Sequence, residues 1–374
     1  MNPVELTQEL IGFNTINPPG NEEEIAKFIG TILVKHGFSV DYPRFDKGRL
    51  NVIASKGLCK DTQPIVLTGH LDVVPLGANK WKFDPHAAIV ENGKLYGRGS
   101  SDMKSGLAAM IVAAILCSAK DCPKGGIKLI FTANEELGCI GAQHLRQTNY
   151  KIGKASAIIV GEPTSNIPYL GHKGGLYVKA VTTGITAHSS TPELGDNAIY
   201  KAARAITKIA NLSFDGQKDP LLGFPTVNVG RIQGGLNLNS VPDKTEFMID
   251  IRSTKKFNNQ KAFQALNEEL GRQVDLKKIV DLDAVSTPEF SDFFKMVLEV
   301  CSFDHEVEGV KKTASFLTDA SVLTPWLGNP PTVILGPGEA KLAHQTDEYC
   351  YVENITRAVD LYSEIIKRNG YLQL

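Results

Sequence analysis

The sequence predicts an α/β fold with a mixed central sheet and a smaller α+β module inserted into it. Short apolar segments of strand length alternate with helical segments through the first part of the chain. From about Gly174 the order becomes strand, helix, strand, strand and helix, and after about Leu282 the earlier alternation resumes. A length of 374 residues also exceeds the usual size of one hydrophobic core. We therefore predict one domain from residues 1–172 and 284–374 and a second from residues 173–283.

Each element of the first part has its own signature. Amphipathic periodicity predicts helices from Pro3 to Phe13 and from Glu22 to His36. The pair Asn92-Gly93 predicts a hairpin turn within Ala87 to Tyr96, because both residues tolerate positive φ. The apolar run from Gly106 to Ala119 predicts a core helix. Short apolar runs bounded by turn residues predict buried strands at Asn51 to Ser55, Pro64 to Thr68, Ile127 to Ala133 and Ala157 to Val160.

The inserted module is predicted to be ferredoxin-like. Its segments are "GLYVKAVTTG", the helical "DNAIYKAARAITKIANL", "PTVNVGRI", "TEFMIDIRST" and a helix from Gln260 to Leu270. This strand and helix order matches the split βαβ arrangement. Beyond the module, "PTVILG" (Pro331 to Gly336) predicts another strand, and Val352 to Asn369 predicts a final helix.

Composition excludes several classes of function. Forty basic and forty-one acidic residues give a formal charge of −1, so no field attracts a nucleic acid. The longest apolar run, Gly106 to Cys117, is shorter than the roughly 20 residues that span a bilayer. The start of the sequence lacks the pattern of a signal peptide. Six cysteines without a C-x-x-C pair indicate neither a disulfide framework nor a thiolate zinc site. We expect a cytoplasmic protein with neither nucleic-acid nor membrane partners.

Polar side chains follow several predicted strands. His70 and Asp72 stand at the end of an apolar run in "TGHLDVVP", Glu135 and Glu136 end the run in "IFTANEELG", and Glu162 ends the run in "AIIVGEPT". Each has an ordinary structural explanation, such as a hydrogen-bonded histidine or a capped turn. The carboxyl ends of strands in an α/β sheet gather at one edge, however, where ligand sites form. Adjacent carboxylates at a buried strand end also raise each other's pKa unless a cation is near.

Two further candidates lie in loops. Asp102 is part of "GRGSSDMKSG", directly before the core helix, and a helix N-cap is an alternative role for it. The same glycine-rich segment fails the pattern of a phosphate-binding loop, because Met103 stands where that loop needs glycine. His344 lies in "LGPGEAKLAHQTDEY", where a structural loop histidine is the alternative. Together these carboxylates and imidazoles, without thiolates, suit a hydrolytic Zn²⁺, Co²⁺ or Mn²⁺ site, and the surplus of carboxylates favours a pair of metals.

The motifs in this order resemble a known family. "GHLDVVP", "GRGSSDMKSG", "TANEELG", "GEPT", "TAHSS" and "GPGEAKLAHQTDEY" are similar to motifs of the zinc aminoacylase, acetylornithine deacetylase and succinyl-diaminopimelate desuccinylase group of co-catalytic metallohydrolases. The resemblance runs nearly end to end. It implies a zinc-peptidase-like catalytic domain and identifies the inserted module with the family's lid and dimerisation domain.

The resemblance also implies roles at the metal centre. Asp102 would bridge two metals, one also held by His70 and Glu162, and the other by Glu136 and His344. Glu135 would be the general base that activates water and later protonates the leaving amine. Asp72 would hydrogen-bond the second ring nitrogen of His70. The peptide bond between Asp102 and Met103 is typically cis in such enzymes.

Further roles concern substrate and partner. The resemblance places His188 at the oxyanion of a partner subunit's active site, which implies a homodimer. Asn239 and Arg252 fall where lids of this family contact substrate, and an arginine fork suits a carboxylate. The backbone near Gly336 and Gly338 could approach a substrate carboxylate, because glycine lacks a Cβ. Thr318 could line the site, as could its neighbour Asp319.

The implied activity is removal of an acyl group from an N-acyl-L-amino acid. Acetylornithine deacetylase is the first candidate, on the segment "GEPTSNIPYLGHKG", the doubled serine after His188 and the ending "LGPGEAKLAHQTDEY". The alternatives are succinyl-diaminopimelate desuccinylase and a general aminoacylase or dipeptide carboxypeptidase. Two departures from the family leave the substrate open: "FLTDAS" (Phe316 to Ser321) matches neither branch, and His86 replaces a usual phenylalanine. A non-catalytic binding protein would lack the base or a ligand, and this sequence has all of them.

Overall fold

The fold is that of a computed structural model, which describes residues 1–119, 122–214, 216–302 and 313–372. Contacts divide the chain into two compact units. The first comprises Met1–Gly171 with the described parts of 287–312 and 318–374, and the second comprises His172–Ser286 with residues 313–317.

The regular elements are as follows. The helices are α1 (Pro3–Gly12), α2 (Glu23–Lys35), α3 (Lys104–Cys117), α4 (Ile140–Gln147), α5 (Ala198–Ala210), α6 (Asn259–Leu270), α7 (Asp292–Cys301), α8 (Ala320–Trp326) and α9 (Val352–Leu372). The strands are β1 (Ser39–Asp41), β2 (Arg44–Asp46), β3 (Arg49–Leu50), β4 (Val52–Lys56), β5 (Ile65–His70), β6 (Val90–Glu91), β7 (Lys94–Tyr96), β8 (Ile127–Thr132), β9 (Ala157–Val160), β10 (Gly171–His172), β11 (Gly174–Thr183), β12 (Thr226–Gly234), β13 (Lys244–Ser253), β14 (Asp275–Leu282), β15 (Val285–Ser286), β16 (Thr332–Ile334) and β17 (Tyr349–Tyr351).

The first unit is built on a mixed sheet, as predicted. Its strand order is β1-β4-β8-β5-β9-β16. Strands β8, β5, β9 and β16 run parallel, and β4 is antiparallel to β8. All residues of β5, β8 and β9 are buried, which explains their continuous apolar sequences. Because these strands are parallel, their carboxyl ends meet at one edge of the sheet.

Helix α3 is buried on nearly all sides and packs against α9 and α1. Its uniformly apolar sequence therefore reflects a position inside the unit rather than one amphipathic face. It begins at Lys104 and ends at Cys117, so the predicted range of Gly106 to Ala119 was two residues late at both ends. Met103, not Asp102, occupies the N-cap position. The alternative role of Asp102 as the N-cap of this helix is therefore wrong.

The second unit has the ferredoxin-like order. Its antiparallel sheet runs β12-β13-β11-β14, and helices α5 and α6 pack against it. Its core consists of alternate residues of β11 and β13 together with one face of each helix. Strand β14 was missing from the sequence prediction, because lysines and aspartates interrupt its alternation. It pairs with β11 and completes the sheet.

Other sequence predictions can be checked in the structure. The hairpin of β6 and β7 turns at Asn92 and Gly93, with φ of 51° and 72°, as predicted. Strand β5 extends two residues beyond the predicted Thr68, so that His70 is its last residue. Among the residues described, no helix combines the length and apolar character that a bilayer span requires.

Candidate metal centre

The parallel strands deliver the predicted residues to one edge of the sheet. His70 ends β5, Glu135 and Glu136 follow β8 after two residues, and Glu162 follows β9. Asp102 reaches the same edge from the loop before α3. The side chains of His70 and Glu162 are 1% and 6% exposed, whereas that of His344 is 52% exposed. The edge thus combines a buried part with a part that solvent reaches.

Asp102 lies at the middle of this group. Its Oδ1 lies 3.1 Å from Nε2 of His70, and its Oδ2 lies 3.4 Å from Nε2 of His344. Nε2 of His70 is also 3.7 Å from Oε1 of Glu162, and Nε2 of His344 is 3.2 Å from Oε2 of Glu136. We call His70, Asp102 and Glu162 the first triad, and Asp102, Glu136 and His344 the second triad. Within each triad the candidate ligand atoms lie within 4.8 Å of one another.

The peptide bond between Asp102 and Met103 is cis in the structure, as the resemblance implied. It stands directly before α3, whose first residue is Lys104.

Asp72 holds the loop after β8 rather than the ring of His70. Its Oδ1 accepts the N–H of Glu135 at 3.0 Å, and its Oδ2 accepts the N–H of Glu136 at 3.2 Å. Nδ1 of His70 donates to the backbone carbonyl of Asp72 at 2.9 Å, while the Asp72 carboxylate lies 3.8 Å from this nitrogen. The expected contact between the Asp72 side chain and His70 is therefore corrected: the carbonyl orients the ring, and the carboxylate orients the two glutamates.

Asn17 takes part in this arrangement and was missed by sequence reasoning. Its Nδ2 donates to Oδ2 of Asp72 at 2.8 Å and to Oδ1 of Asn134 at 2.6 Å. It lies 55 residues from Asp72 in the chain, at the first of two consecutive X-Pro bonds that are cis, Asn17-Pro18 and Pro18-Pro19. The doubled proline was the only local signal of an unusual backbone at this point.

Crowding of carboxylates shapes the electrostatics. Burial, with the charges of neighbouring carboxylates, raises the pKa of Glu162 and of Glu135 well above the usual range, and raises that of Glu136. Oε1 of Glu136 is buried and finds no hydrogen-bond partner among the described residues. An acceptor left in this state costs free energy unless a cation or a donor meets it. The donor set of imidazoles and carboxylates therefore fits one or two divalent cations.

The pKa values of the two histidines are raised as well, which favours their charged forms. Hydrogen bonds that His344 donates to the carboxylates of Asp102 and Glu136 raise its pKa to about 10. Burial alone would lower the pKa of His70, but the hydrogen bond to Asp102 and the charge of Glu162 outweigh it, so that this pKa is raised. The same pairing lowers the pKa of Asp102 despite its burial. In the absence of cations, protons on the histidines balance part of the negative charge.

Glu135 has different neighbours from Glu136. Its Oε1 accepts the thiol of Cys139 at 3.4 Å, and a carboxylate oxygen of Asp319 lies within 4.8 Å of both groups. Asp319 accepts the hydroxyl of Thr132, and burial raises its pKa to about 6. The segment "FLTDAS" thus brings Asp319 next to Glu135. Glu135 belongs to neither triad, which leaves its carboxyl group available for proton transfer.

Three of the predicted substrate contacts have other partners. Thr318 is completely buried, and its Oγ1 accepts the N–H of Ala320 at 3.1 Å. A Cβ on Gly336 would lie 2.2 Å from the carbonyl oxygen of Gly161, and one on Gly338 would lie 2.1 Å from that of Ser101. These glycines thus let the chain after β16 pass close to the loops of Glu162 and Asp102. Substrate contact at these three positions stays a prediction.

We expect Gly338→Ala to destabilise the protein. The new Cβ would meet backbone atoms of Ser101, which cannot move aside as a side-chain end could. Overpacking of this kind costs ~1–3 kcal/mol in the free energy of unfolding. Gly12→Ala is the control, because a Cβ there has open space. Chemical denaturation measures both, and equal stability of the two variants would contradict the prediction.

The remaining predicted residues belong to the second unit. His188 is exposed, and its Nδ1 accepts the N–H of Ser190 at 3.1 Å. Asn239 is also exposed, and its carbonyl accepts the N–H of Ser189 at 3.0 Å. Arg252 donates from Nε to Asp250 at 2.9 Å and from Nη2 to the hydroxyl of Tyr177 at 2.9 Å. Part of the guanidinium fork is thus already engaged within its own sheet.

Comparison with known proteins identifies the family. The sequence profile of peptidase family M20/M25/M40 matches residues 66–368. The chain belongs to this family. The match includes all residues of both triads and Glu135, and it confirms both the resemblance and the prediction that the chain is an enzyme, a hydrolase of this peptidase family.

Relatives in this family carry two different names. The chain is 29% identical to "Probable succinyl-diaminopimelate desuccinylase" of Staphylococcus aureus strain Mu50, over 97% of this chain and 98% of that protein. It is 30% identical to "Acetylornithine deacetylase" of Vibrio vulnificus strain CMCP6, over 93% of this chain and 92% of that protein. Identities this similar do not decide between the two substrates.

Solved structures of the M20 family share the fold. The metallo-carboxypeptidase Sso-CP2 of Sulfolobus solfataricus superposes with a TM-score of 0.82 at 21% identity, covering 99% of this chain and 100% of that chain. The YXEP protein of Bacillus subtilis, described as a dinuclear metal binding peptidase, has a TM-score of 0.71 at 18% identity, covering 99% and 97%. The prediction of a catalytic α/β domain with an inserted α+β domain is therefore confirmed.

Proposed function

We propose that this M20 family member is a dinuclear, zinc-dependent amidohydrolase that removes the acyl group from N-acyl-L-amino acids. One observation carries the proposal: Asp102 directs one carboxylate oxygen to His70 of the first triad and the other to His344 of the second triad. A carboxylate placed in this way is suited to bridge two cations, with His70 and Glu162 on one side and Glu136 and His344 on the other. The dinuclear relative from Bacillus subtilis supports the same reading. Zn²⁺ is the first choice, and Co²⁺ or Mn²⁺ suit the same ligands.

In this proposal the protein supplies a base and its orientation. Two bound cations would polarise the amide carbonyl and lower the pKa of water. Glu135 takes the proton of the attacking water and later delivers it to the leaving amine. A raised pKa strengthens Glu135 as the base in the first transfer, and the carboxylate of Asp72 fixes the backbone from which it projects. Cys139 donates its thiol to this carboxyl group, and Asp319 lies beside it.

We also propose that His188 donates a hydrogen bond to the developing oxyanion of a partner subunit. Because Nδ1 accepts the N–H of Ser190, the neutral ring carries its proton on Nε2, which can donate. A homodimer through the second unit is supported by its surface. Strand β12 lies at the edge of its sheet, and Leu236 and Leu238 in the following loop are 98% and 102% exposed. An edge strand beside exposed leucines favours pairing with a second copy.

The dimer has a direct test. Leu238→Asp places a charge in the proposed interface and is expected to give a monomer with strongly reduced turnover. Leu58→Asp is the control, because Leu58 is also exposed but lies in the first unit. Light scattering coupled to size exclusion measures the mass in solution. A wild-type monomer with full activity would exclude the dimer.

The acyl group and the amino acid define the substrate. Acetylornithine deacetylase is the first candidate, supported by the motifs around Glu162 and His188 and by the Vibrio relative. Succinyl-diaminopimelate desuccinylase is the second, because relatives of that name match almost the whole chain. Arg252 and Asn239 remain the proposed substrate contacts. An arginine could bind a terminal carboxylate, although it would then share its fork with Asp250.

The proposed function is tested with a panel of amides. Zn²⁺- or Co²⁺-loaded protein is offered N-acetyl-L-ornithine, N-succinyl-L,L-diaminopimelate, a general N-acyl amino acid and a dipeptide, each with and without a chelator. Chelator-sensitive turnover of N-acetyl-L-ornithine alone supports the first candidate, and turnover of the succinyl substrate alone supports the second. Hydrolysis that survives complete metal removal would exclude the metal mechanism.

Metal removal is expected to destabilise the protein more at pH 8 than at pH 6. Groups whose pKa is raised by folding, such as Glu162 and His344, hold their protons more firmly in the folded state. Without metal, the stability they contribute is present at low pH and is lost as pH rises, up to about 10 for His344. Metal binding displaces these protons, so its affinity rises with pH. Thermal unfolding of loaded and chelated protein at both pH values measures this, and a difference in melting temperature that shrinks towards pH 8 would contradict it.

A further inference from the structure

A buried ion pair, Arg98 with Glu348, lies between the loops that carry Asp102 and His344. Nη1 of Arg98 lies 2.6 Å from Oε2 of Glu348, and the two side chains are 1% and 0% exposed. Removing both charges from water is expensive, so a buried pair is weak evidence of a contribution to stability. The contacts of each partner show a different use.

Glu348 binds the backbone of the loop that carries Asp102. Its Oε1 accepts the N–H of Ser101 at 2.8 Å and that of Asp102 at 3.0 Å, and its Oε2 accepts the N–H of Gly99 at 3.2 Å. Both oxygens are therefore used by this loop and by Arg98. The position of the Asp102 backbone depends directly on this carboxylate.

Arg98 binds the backbone of the loop that carries His344. Its Nη1 donates to the carbonyl of Gln345 at 3.2 Å, and its Nη2 lies 3.5 Å from the carbonyl of His344 and donates to that of Pro75 at 3.1 Å. The planar fork of an arginine can serve several acceptors with fixed geometry, which a lysine ammonium cannot. Pro75 belongs to the segment that follows His70 and Asp72.

We propose that Arg98 and Glu348 are positioning residues that set the distance between Asp102 and His344, and thereby the affinity of the second triad for its metal. The inference deepens the proposed function and rests on it. The side chain of His344 is half exposed, so neighbouring residues enclose only part of it. His70 and Glu162, in contrast, are fixed at the ends of buried strands. Loss of the ion pair therefore affects the second triad more than the first.

Two variants test this proposal. Glu348→Gln keeps the shape but places an amide donor against Arg98 or against backbone N–H groups. Arg98→Lys keeps the charge but cannot serve all of the acceptors. Asp347→Asn is the matched control, because it removes a carboxylate from the same loop while its remaining oxygen can still accept the N–H of Lys82. Metal-free proteins are titrated with Zn²⁺ in competition with a chelator, which yields two stepwise dissociation constants.

We expect both variants to weaken the second Zn²⁺ by ~10–100-fold, the range for residues that orient ligands, with a smaller change in the first. The control should keep both constants. Equal weakening of both sites, or no change in either variant, would overturn the positioning role. If Glu348→Gln fails to fold, Arg98→Lys alone decides by the same criterion. A wild-type protein that binds only one Zn²⁺ would instead overturn the dinuclear centre, and this inference with it.

Discussion

Glu135→Gln is expected to lower kcat by ~10²–10⁴ while both metals remain bound, the range for loss of a general base. The amide has nearly the same shape as the carboxyl group, but it cannot accept and return a proton. Glu135 belongs to neither triad, so its substitution leaves the candidate ligands of both triads in place. Steady-state kinetics together with elemental analysis of the dialysed protein measure the two quantities separately.

The neighbouring residue provides the control. Glu136→Gln makes the same chemical change one position along the chain, and we expect it to reduce metal content first, because Oε2 of Glu136 lies 3.2 Å from His344. Turnover in this variant should recover in part when metal is in excess. Near-normal kcat in Glu135→Gln would remove Glu135 from its proposed role. Unchanged metal content in Glu136→Gln would remove Glu136 from the second triad.

Asp102→Asn is expected to weaken both metals at once. The substitution replaces one of the two Asp102 oxygens that face His70 and His344. It also removes the negative charge that would lie between the two cations. We expect a loss of affinity beyond the ~10–100-fold that follows when only an orienting residue is removed. Isothermal titration with Zn²⁺ measures both steps.

Glu162→Gln distinguishes a shared ligand from an individual one. Glu162 belongs only to the first triad, so its substitution should weaken one metal and spare the other. Asp102→Asn should weaken both metals, Glu162→Gln only the metal of the first triad, and Glu136→Gln only the metal of the second triad. If Asp102→Asn weakened one metal alone, the bridging position of Asp102 would be wrong.

The sequence alone determined the fold class and the location of most candidate residues. Buried parallel strands need continuous apolar runs, and each run is short enough for its end to be placed within about two residues. Glu162 could therefore be placed after β9 and His70 near the end of β5 without any coordinates. The order of the motifs indicated the family, which the profile match confirms. The charged strand β14 was missed, because its side-chain alternation is too weak to identify an edge strand.

The tertiary structure decided which of these side chains meet, and what supports them. The two oxygens of Asp102 face different histidines only because the loop before α3 folds against residues after β16, and no local spacing specifies that contact. Arg98 and Glu348 are 250 residues apart, so neither residue signals the other. The same holds for Gly338 and Ser101, whose close approach depends on two separate loops. Local sequence fixes strands, helices and turns through short-range sterics and hydrogen bonds, whereas the candidate metal centre depends on packing between distant segments.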